Sequence, residues 1–305
     1  MKEVIFEKTG LPSEVLELKE SPMPQPKEGQ VLIKVTARNI NPSDIMFIRG
    51  MYGIAPVLPS SAGFEAAGVV EKGDAGGILK EGTRVMFSAI GTWKEYVCVP
   101  ASLAIPIPEG MPDEVACQAF VNPMTAYGML EKSGLKEGDW LLITAGASAF
   151  GKFALQMAKE RGIKVAATVR HDDQIEYLEK MGADLVINSE KEKIQKVLPE
   201  KTDGGVHVVF DAVGGTLGAK ALASLRPKGK MMVFNNLQIE AFWLSTWMDE
   251  TDPKTRGQAF LKVFGFLMKD DSKIDIAGKF PLAAFKEALN SYEMPGRNGK
   301  ILLVS

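Results

Sequence analysis

The stretch Trp140-Leu141-Leu142-Ile143-Thr144-Ala145-Gly146-Ala147-Ser148-Ala149-Phe150-Gly151 decides how this chain is read. Its opening apolar run predicts a buried strand. Small residues follow, and Phe153 to Glu160 then takes up helical spacing. A strand that becomes a helix so quickly must reverse tightly, and the helix must lie close to the strand, which favours glycine where backbones meet. Gly146 and Gly151 suit those needs. Ser148 replaces the middle glycine of the usual dinucleotide-binding turn; it is small enough to leave room, and its hydroxyl can donate to a phosphate. Gly146, Ala147, Ser148, Ala149, Phe150 and Gly151 are therefore the candidate cradle for a diphosphate, because the helix start presents unpaired N–H groups to an anion. Any tight strand-to-helix turn favours small residues; the position at the head of a βαβ unit is what points to a dinucleotide.

Downstream, strands alternate with helices. Ile163 to Val169 reads as a second strand, Asp173 to Met181 as a helix, Leu185 to Ile187 as a third strand and Val206 to Phe210 as a fourth. A helix to Arg226 and a fifth strand, Lys230 to Phe234, follow. That rhythm predicts a doubly wound parallel sheet. An NAD site usually places a carboxylate at the end of the second strand, about 20 residues on, for the ribose 2′-hydroxyl. This sequence has Arg170-His171 there. A guanidinium suits a 2′-phosphate, which points to NADPH. The alternative is a solvated arginine before a helix-capping Asp172, with His171 facing either the phosphate or water.

Upstream, the first 120 residues are β-rich. Val31 to Arg38, Ala66 to Glu71, Gly82 to Met86 and Thr92 to Val99 read as short strands separated by turns, which suggests a small barrel or sandwich. A helix over Leu282 to Ser291 and a strand over Ile301 to Val304 close the chain. The 305 residues carry a net charge of -2, which gives no support to a nucleic-acid or anionic-membrane partner. Two cysteines, Cys98 and Cys117, are too few for a disulfide scaffold or a four-cysteine zinc site. Acidic and polar residues break the N-terminal segment, so a secretory signal is not expected, and no apolar stretch reaches about 18 residues. A cytoplasmic location is the expectation.

Several motifs then converge: Asn39-Ile40-Asn41-Pro42-Ser43-Asp44, Gly63-Phe64-Glu65, Gly82-Thr83-Arg84-Val85, Asn122-Pro123-Met124-Thr125-Ala126, the glycine turn, and Gly299-Lys300-Ile301-Leu302. In order and spacing the chain resembles the medium-chain dehydrogenase/reductase superfamily over its whole length. The resemblance implies an α/β protein with a GroES-like β-barrel catalytic domain, residues 1–121 completed by 256–305, and a Rossmann doubly wound parallel-sheet domain, residues 122–255. The zinc ligands of its alcohol dehydrogenases correspond here to Asn41, Phe64 and Asn122, none a good zinc ligand, so no metal is expected. Glu65 reads as structural.

Ile48-Arg49-Gly50-Met51-Tyr52-Gly53 and Ala241-Phe242-Trp243-Leu244-Ser245-Thr246-Trp247 resemble segments of the 2-enoyl thioester reductases, where the tyrosine is catalytic. That likeness implies hydride transfer from NADPH to an activated C=C bond, with Tyr52 stabilising the enolate or donating its proton. Tyr52 could instead be an aromatic in a loop. Asn41 is the second catalytic candidate, and Asn122 and Thr125 would lie beside the coenzyme; both asparagines also suit turns before proline. Phe242, Trp243 and Trp247 line the substrate cleft or belong to the core. Lys300 touches phosphate or is a solvated lysine at a strand end, and His207 reads as a core histidine rather than an acid. The expected partner is a small molecule, namely an enoyl thioester, an enone or a quinone, and a homodimer is the family expectation. The rival readings are an NADPH:quinone oxidoreductase or alkenal reductase and, from another class, an NADPH-binding regulator.

Overall fold

A computed structural model describes residues 1–73, 77, 79–233, 244–269 and 275–305. The chain divides into two compact units, residues 1–121 with 264–305, and residues 122–263. The resemblance implied a return to the first unit at residue 256. The division instead falls at 264, inside a helix, Pro253–Leu267, whose two internal glycines had obscured its periodicity.

The first unit opens with β1 (Lys2–Phe6) and β2 (Leu16–Glu20), an antiparallel pair. The ten-residue β3 (Gln30–Asn39) follows, then β4 (Ser60–Ser61), which adds to the other edge of β1. β5 (Glu65–Lys72), β6 (Arg84–Ser88), β7 (Tyr96–Pro100) and β8 (Ala104–Pro106) complete this stretch. β3 pairs antiparallel with β5 along most of its length and with β7 through its first half. Alternation puts Val31, Ile33 and Val35 into one core with Val85, Phe87, Val97 and Val99. The strand expected from Thr92 starts only at Tyr96, because Trp93 turns inward, fully buried, and its Nε1 donates to the Asn39 carbonyl at 3.2 Å.

In the second unit β9 (Trp140–Ile143), β10 (Lys164–Val169), β11 (Leu185–Asn188), β12 (Val206–Asp211) and β13 (Leu225–Val233) form one parallel sheet in the order β11-β10-β9-β12-β13. The order reverses beside β9, the strand that feeds the glycine turn, and ligands of open α/β sheets bind at such switch points. The helix before β13 stops at Leu222 rather than Arg226. Arg226 already belongs to β13, which bulges between its pairings at Leu225 and Lys230. The sequence also concealed a helix over Ile194–Lys201, whose pattern Pro199 interrupts from within its last turn. After the second unit, β14 (Ile276–Pro281) and β15 (Lys300–Val304) rejoin the first, with β15 antiparallel to the end of β3.

The turn after β9 is an elbow with no room for side chains at two points. A Cβ added to Gly146 would lie 2.6 Å from the Cβ of Ala167 on β10. One added to Gly151 would lie 2.4 Å from the Gly146 carbonyl oxygen. Ala145 takes φ +54°, and the Gly146 N–H donates to the Thr168 carbonyl at 2.8 Å. Gly151→Ala should therefore destabilise the protein by about 1–3 kcal/mol, the usual range for overpacking. Urea unfolding checks this; an unchanged midpoint would mean that the helix can shift without cost.

Candidate active site

In the first unit the polar side chains gather around one buried carboxylate. Glu65, at the start of β5, accepts through Oε1 from the side-chain amides of Asn39 and Asn41, each at 2.7 Å. Through Oε2 it accepts from the backbone N–H groups of Phe120 and Val121, at 3.1 and 2.8 Å. Four donors on one buried carboxylate explain how it tolerates loss of water. The structural reading of Glu65 fits this geometry.

Asn41 is fully buried. It precedes the helix Pro42–Ile48, and its N–H donates to Asp44 Oδ2 at 2.6 Å, as in a capping box. Its Nδ2 also donates to Asn39 Oδ1 at 3.2 Å, and its Oδ1 accepts from the Lys300 ammonium. Both amide protons are thus directed to internal partners. Rather than forming a turn before Pro42, Asn41 starts a helix. Lys300 departs from the expected solvated state: β15 carries it inward beside the end of β3, where it is buried. Burial pushes its pKa down to about 8, opposed by the carboxylates of Glu65 and Asp44. Burial pushes the Asp44 carboxyl up to about 8, against the Asn41 N–H that favours its anion.

Tyr52 is half-buried. Its ring sits 5.1 Å from that of Phe64, which in turn contacts Phe47 at 5.2 Å. Burial, and then the charge of Asp44, raise its pKa above the usual tyrosine value, so its phenol holds its proton at neutral pH.

In the second unit the elbow starts the helix Ala149–Lys159. Ser148 is its N-cap, and its hydroxyl accepts from the Gly151 N–H at 3.0 Å. Arg170 and His171 follow β10 and are exposed; Arg170 makes no ion pair among the described residues. Asp172 does not cap the next helix, because Lys191 and Asn188 draw its carboxylate away. Asn122 and Thr125 lie in the first turns of the helix Val121–Ser133, where Pro123 is accommodated rather than forming a turn ahead of it. Trp247 belongs to the core reading: it is buried, 6.4 Å edge-on from Tyr127. Phe242 and Trp243 fall outside the described residues. His207 is partly exposed rather than in the core. Its Nδ1 accepts from the Trp140 N–H at 2.9 Å, and its Nε2 lies 3.1 Å from Asp139.

Sequence reasoning passed over Asp211. Buried at the end of β12, it accepts from the Thr144 hydroxyl at 2.6 Å and from the N–H groups of Val213 and Gly214. It thereby ties the elbow to the neighbouring loop. An acid closing an apolar strand ahead of two glycines was the available signal. Lys152 was also missed; it is buried one residue past the elbow, with its ammonium 5.5 Å from the Tyr177 ring centroid.

Residues 27–109 match the family model described as alcohol dehydrogenase GroES-like domain, and residues 149–250 the one described as zinc-binding dehydrogenase. The mitochondrial enoyl-[acyl-carrier-protein] reductase of Caenorhabditis elegans is 31% identical, over 89% of this chain and 86% of that protein. The chain belongs to the medium-chain dehydrogenase/reductase superfamily. Another relative in this superfamily, prostaglandin reductase-3 of Mus musculus, is 36% identical over 70% of this chain, which spans 57% of that protein's length. Escherichia coli quinone oxidoreductase complexed with NADPH matches at TM-score 0.86 and 29% identity, covering 100% of each chain. A mycobacterial protein complexed with NADPH matches at TM-score 0.85 and 30% identity, again covering 100% of each.

The zinc of some superfamily members does not suit this donor set. Asn41 offers an amide oxygen that already accepts from an ammonium, and Phe64 offers a ring packed among aromatics. Two predictions follow from the buried network. Glu65→Gln places an amide against N–H donors and should cost about 1–3 kcal/mol in urea unfolding; full wild-type stability would remove Glu65 as the node. The second concerns pH. Asp44, raised from 3.8 to about 8, keeps a proton that the unfolded chain releases, so its contribution falls as pH rises through that window. Lys300, lowered from 10.5 to about 8, gives up a proton that the unfolded chain keeps, so its contribution rises from pH about 8 to 10.5. Unfolding curves across pH should therefore lose the fall in Asp44→Asn and the rise in Lys300→Met. Profiles unchanged by both substitutions would contradict the assignment.

Proposed function

We propose that the chain is an NADPH-dependent reductase that adds hydride to the activated C=C bond of an α,β-unsaturated carbonyl compound or enoyl thioester. The elbow carries this reading. The absence of space for a Cβ at Gly146 and Gly151 draws the helix start close to β9 and β10. Backbone N–H groups at such a start suit a diphosphate, and the dipole favours its charge. Arg170 is exposed at the end of β10, where a 2′-phosphate would need a cation. His171 stands beside it. Gly146 to Gly151, with Asn122 and Thr125, are the proposed coenzyme contacts; the burial of Lys300 against Asn41 does not favour the phosphate contact expected of it. The nicotinamide coenzyme, when bound, supplies the hydride.

Reduction at the β-carbon leaves negative charge on the substrate's carbonyl oxygen. The Tyr52 phenol is proposed to donate a hydrogen bond to that oxygen or a proton to the α-carbon. Its raised pKa keeps it in the donor form. Asn41 serves as a positioning residue, since its amide ties the start of the helix leading to Tyr52 to Glu65. The name of the C. elegans relative, an enoyl reductase, supports reduction of a double bond, whereas that of the E. coli structure supports quinones. The likeness of Gly50, Tyr52 and Gly53 and of Leu244-Ser245-Thr246-Trp247 to thioester reductases favours the first, although Met51 departs from the asparagine usual beside that tyrosine.

NADPH oxidation with crotonyl thioester, a benzoquinone and an alkenal separates the readings. The account expects the thioester to give the highest kcat/KM, and Tyr52→Phe to lower its kcat about 10²-fold or more with little change in NADPH affinity. Turnover of the quinone alone would favour the oxidoreductase alternative. An unchanged kcat in Tyr52→Phe would remove the phenol from the mechanism.

A further inference from the structure

We propose that the second unit carries a binding site for a small phosphate monoester at the end of its sheet opposite the elbow, in a cavity lined by His207, Arg226, Lys228 and Lys230. The site goes beyond the reductase reading and does not depend on it.

It begins with an irregularity of the sheet. β12 and β13 pair at Val206 with Leu225 and again at Val208 with Lys230. A single residue of β12, His207, therefore faces four of β13, Arg226-Pro227-Lys228-Gly229. With Asp139, just ahead of β9, and the end of the helix Val121–Ser133, this excursion borders a cavity of about 330 Å³. Cavities from about 300 Å³ upwards hold small molecules. A bare phosphate would leave much of this one empty, whereas a phosphate ester would fill it. The elbow follows the last residue of β9 and the cavity lies ahead of its first, so a strand of about 13 Å separates the two sites.

The lining is cationic. Three cations, Arg226, Lys228 and Lys230, stand against one carboxylate, Asp139, which leaves two positive charges. A phosphate monoester is close to a dianion at neutral pH and accepts from guanidinium and ammonium groups alike. Lys230 is fixed in place, its ammonium donating to the Lys132 carbonyl at 3.1 Å. Lys228 is exposed and takes φ +67°, a conformation that glycine adopts at less cost. Side chains kept at such positions cluster at functional sites. Arg226 has no carboxylate partner among the described residues; its guanidinium meets His207 Nε2 instead. That ring cannot satisfy it. His207 Nδ1 accepts from the Trp140 N–H at 2.9 Å, so a neutral ring carries its proton on Nε2, which faces Asp139 at 3.1 Å. Burial, opposed by Asp139, lowers the His207 pKa and keeps the ring neutral at neutral pH. The guanidinium thus lies against an N–H, with its own donors directed at no acceptor, and an anion in the cavity would supply one.

The chain has two histidines, His171 and His207, so imidazole NMR reads this cavity through a signal of its own, assigned with His171→Gln. The protein, held in NADP⁺ to occupy the coenzyme cradle, is titrated with inorganic phosphate and glucose 6-phosphate, and with glucose and succinate as controls. The site predicts saturable movement of the His207 signal by glucose 6-phosphate with a Kd of about 1 mM or tighter, weaker binding of phosphate and of succinate, and no response to glucose. Arg226→Gln should weaken glucose 6-phosphate at least about tenfold and Lys228→Gln about threefold. Circular dichroism checks that the variants fold; if Arg226→Gln does not, Lys228→Gln decides. No saturable movement of His207 with either phosphate compound, an equal response to glucose or succinate, movement of His171 alone, or an affinity unchanged in the folded variants would overturn the proposal.

Discussion

The tightest constraint in this molecule is steric. Between β9 and the helix Ala149–Lys159 the backbone passes so close to itself and to β10 that a single methyl group at Gly146 or Gly151 has no place. That approach aligns the first N–H groups of the helix at the switch point of the parallel sheet, where a diphosphate is best accommodated. The surrounding polar contacts maintain it. Thr168 accepts from both Ala145 and Gly146, and Asp211 holds Thr144 and the loop after β12. An anion site built from backbone needs this rigidity, because N–H groups cannot be re-aimed as side chains can.

In the first unit electrostatics takes the place of steric closeness. Glu65 gathers two asparagine amides and two backbone N–H groups, and Lys300 fixes the remaining face of Asn41. Asn41 presents an amide already bound to an ammonium, and that buried ammonium is held inside a hydrogen-bonded network. Removing one member would leave the others desolvated without partners, which is why such networks are sensitive to single substitutions.

The legibility of these features in the sequence depended on their range. The elbow could be read because its demands are local: an apolar strand, small residues at fixed offsets, then helical spacing. The parallel sheet followed from the alternation of elements, and four of its strands, β9 to β12, coincide closely with the apolar runs. Helices broken by glycine or proline, Pro253–Leu267 and Ile194–Lys201, were concealed because periodicity is what identifies a helix. Long-range burial was the least visible. Nothing near Lys300 shows that β15 will bring it against Asn41, 259 positions earlier in the chain. Asp172 likewise resembled a cap until tertiary structure supplied Lys191. Trp247 could be assigned to cleft or core only once its contact with Tyr127 was known.

The central claim, that the elbow and Arg170 together seat a phosphorylated dinucleotide, is most directly tested by calorimetric titration of the apoprotein with NADPH and with NADH. The account predicts saturable binding of NADPH at least about tenfold tighter than NADH, with the difference largely lost in Arg170→Ala, as expected for one charge-assisted phosphate contact. No association with either coenzyme would contradict it.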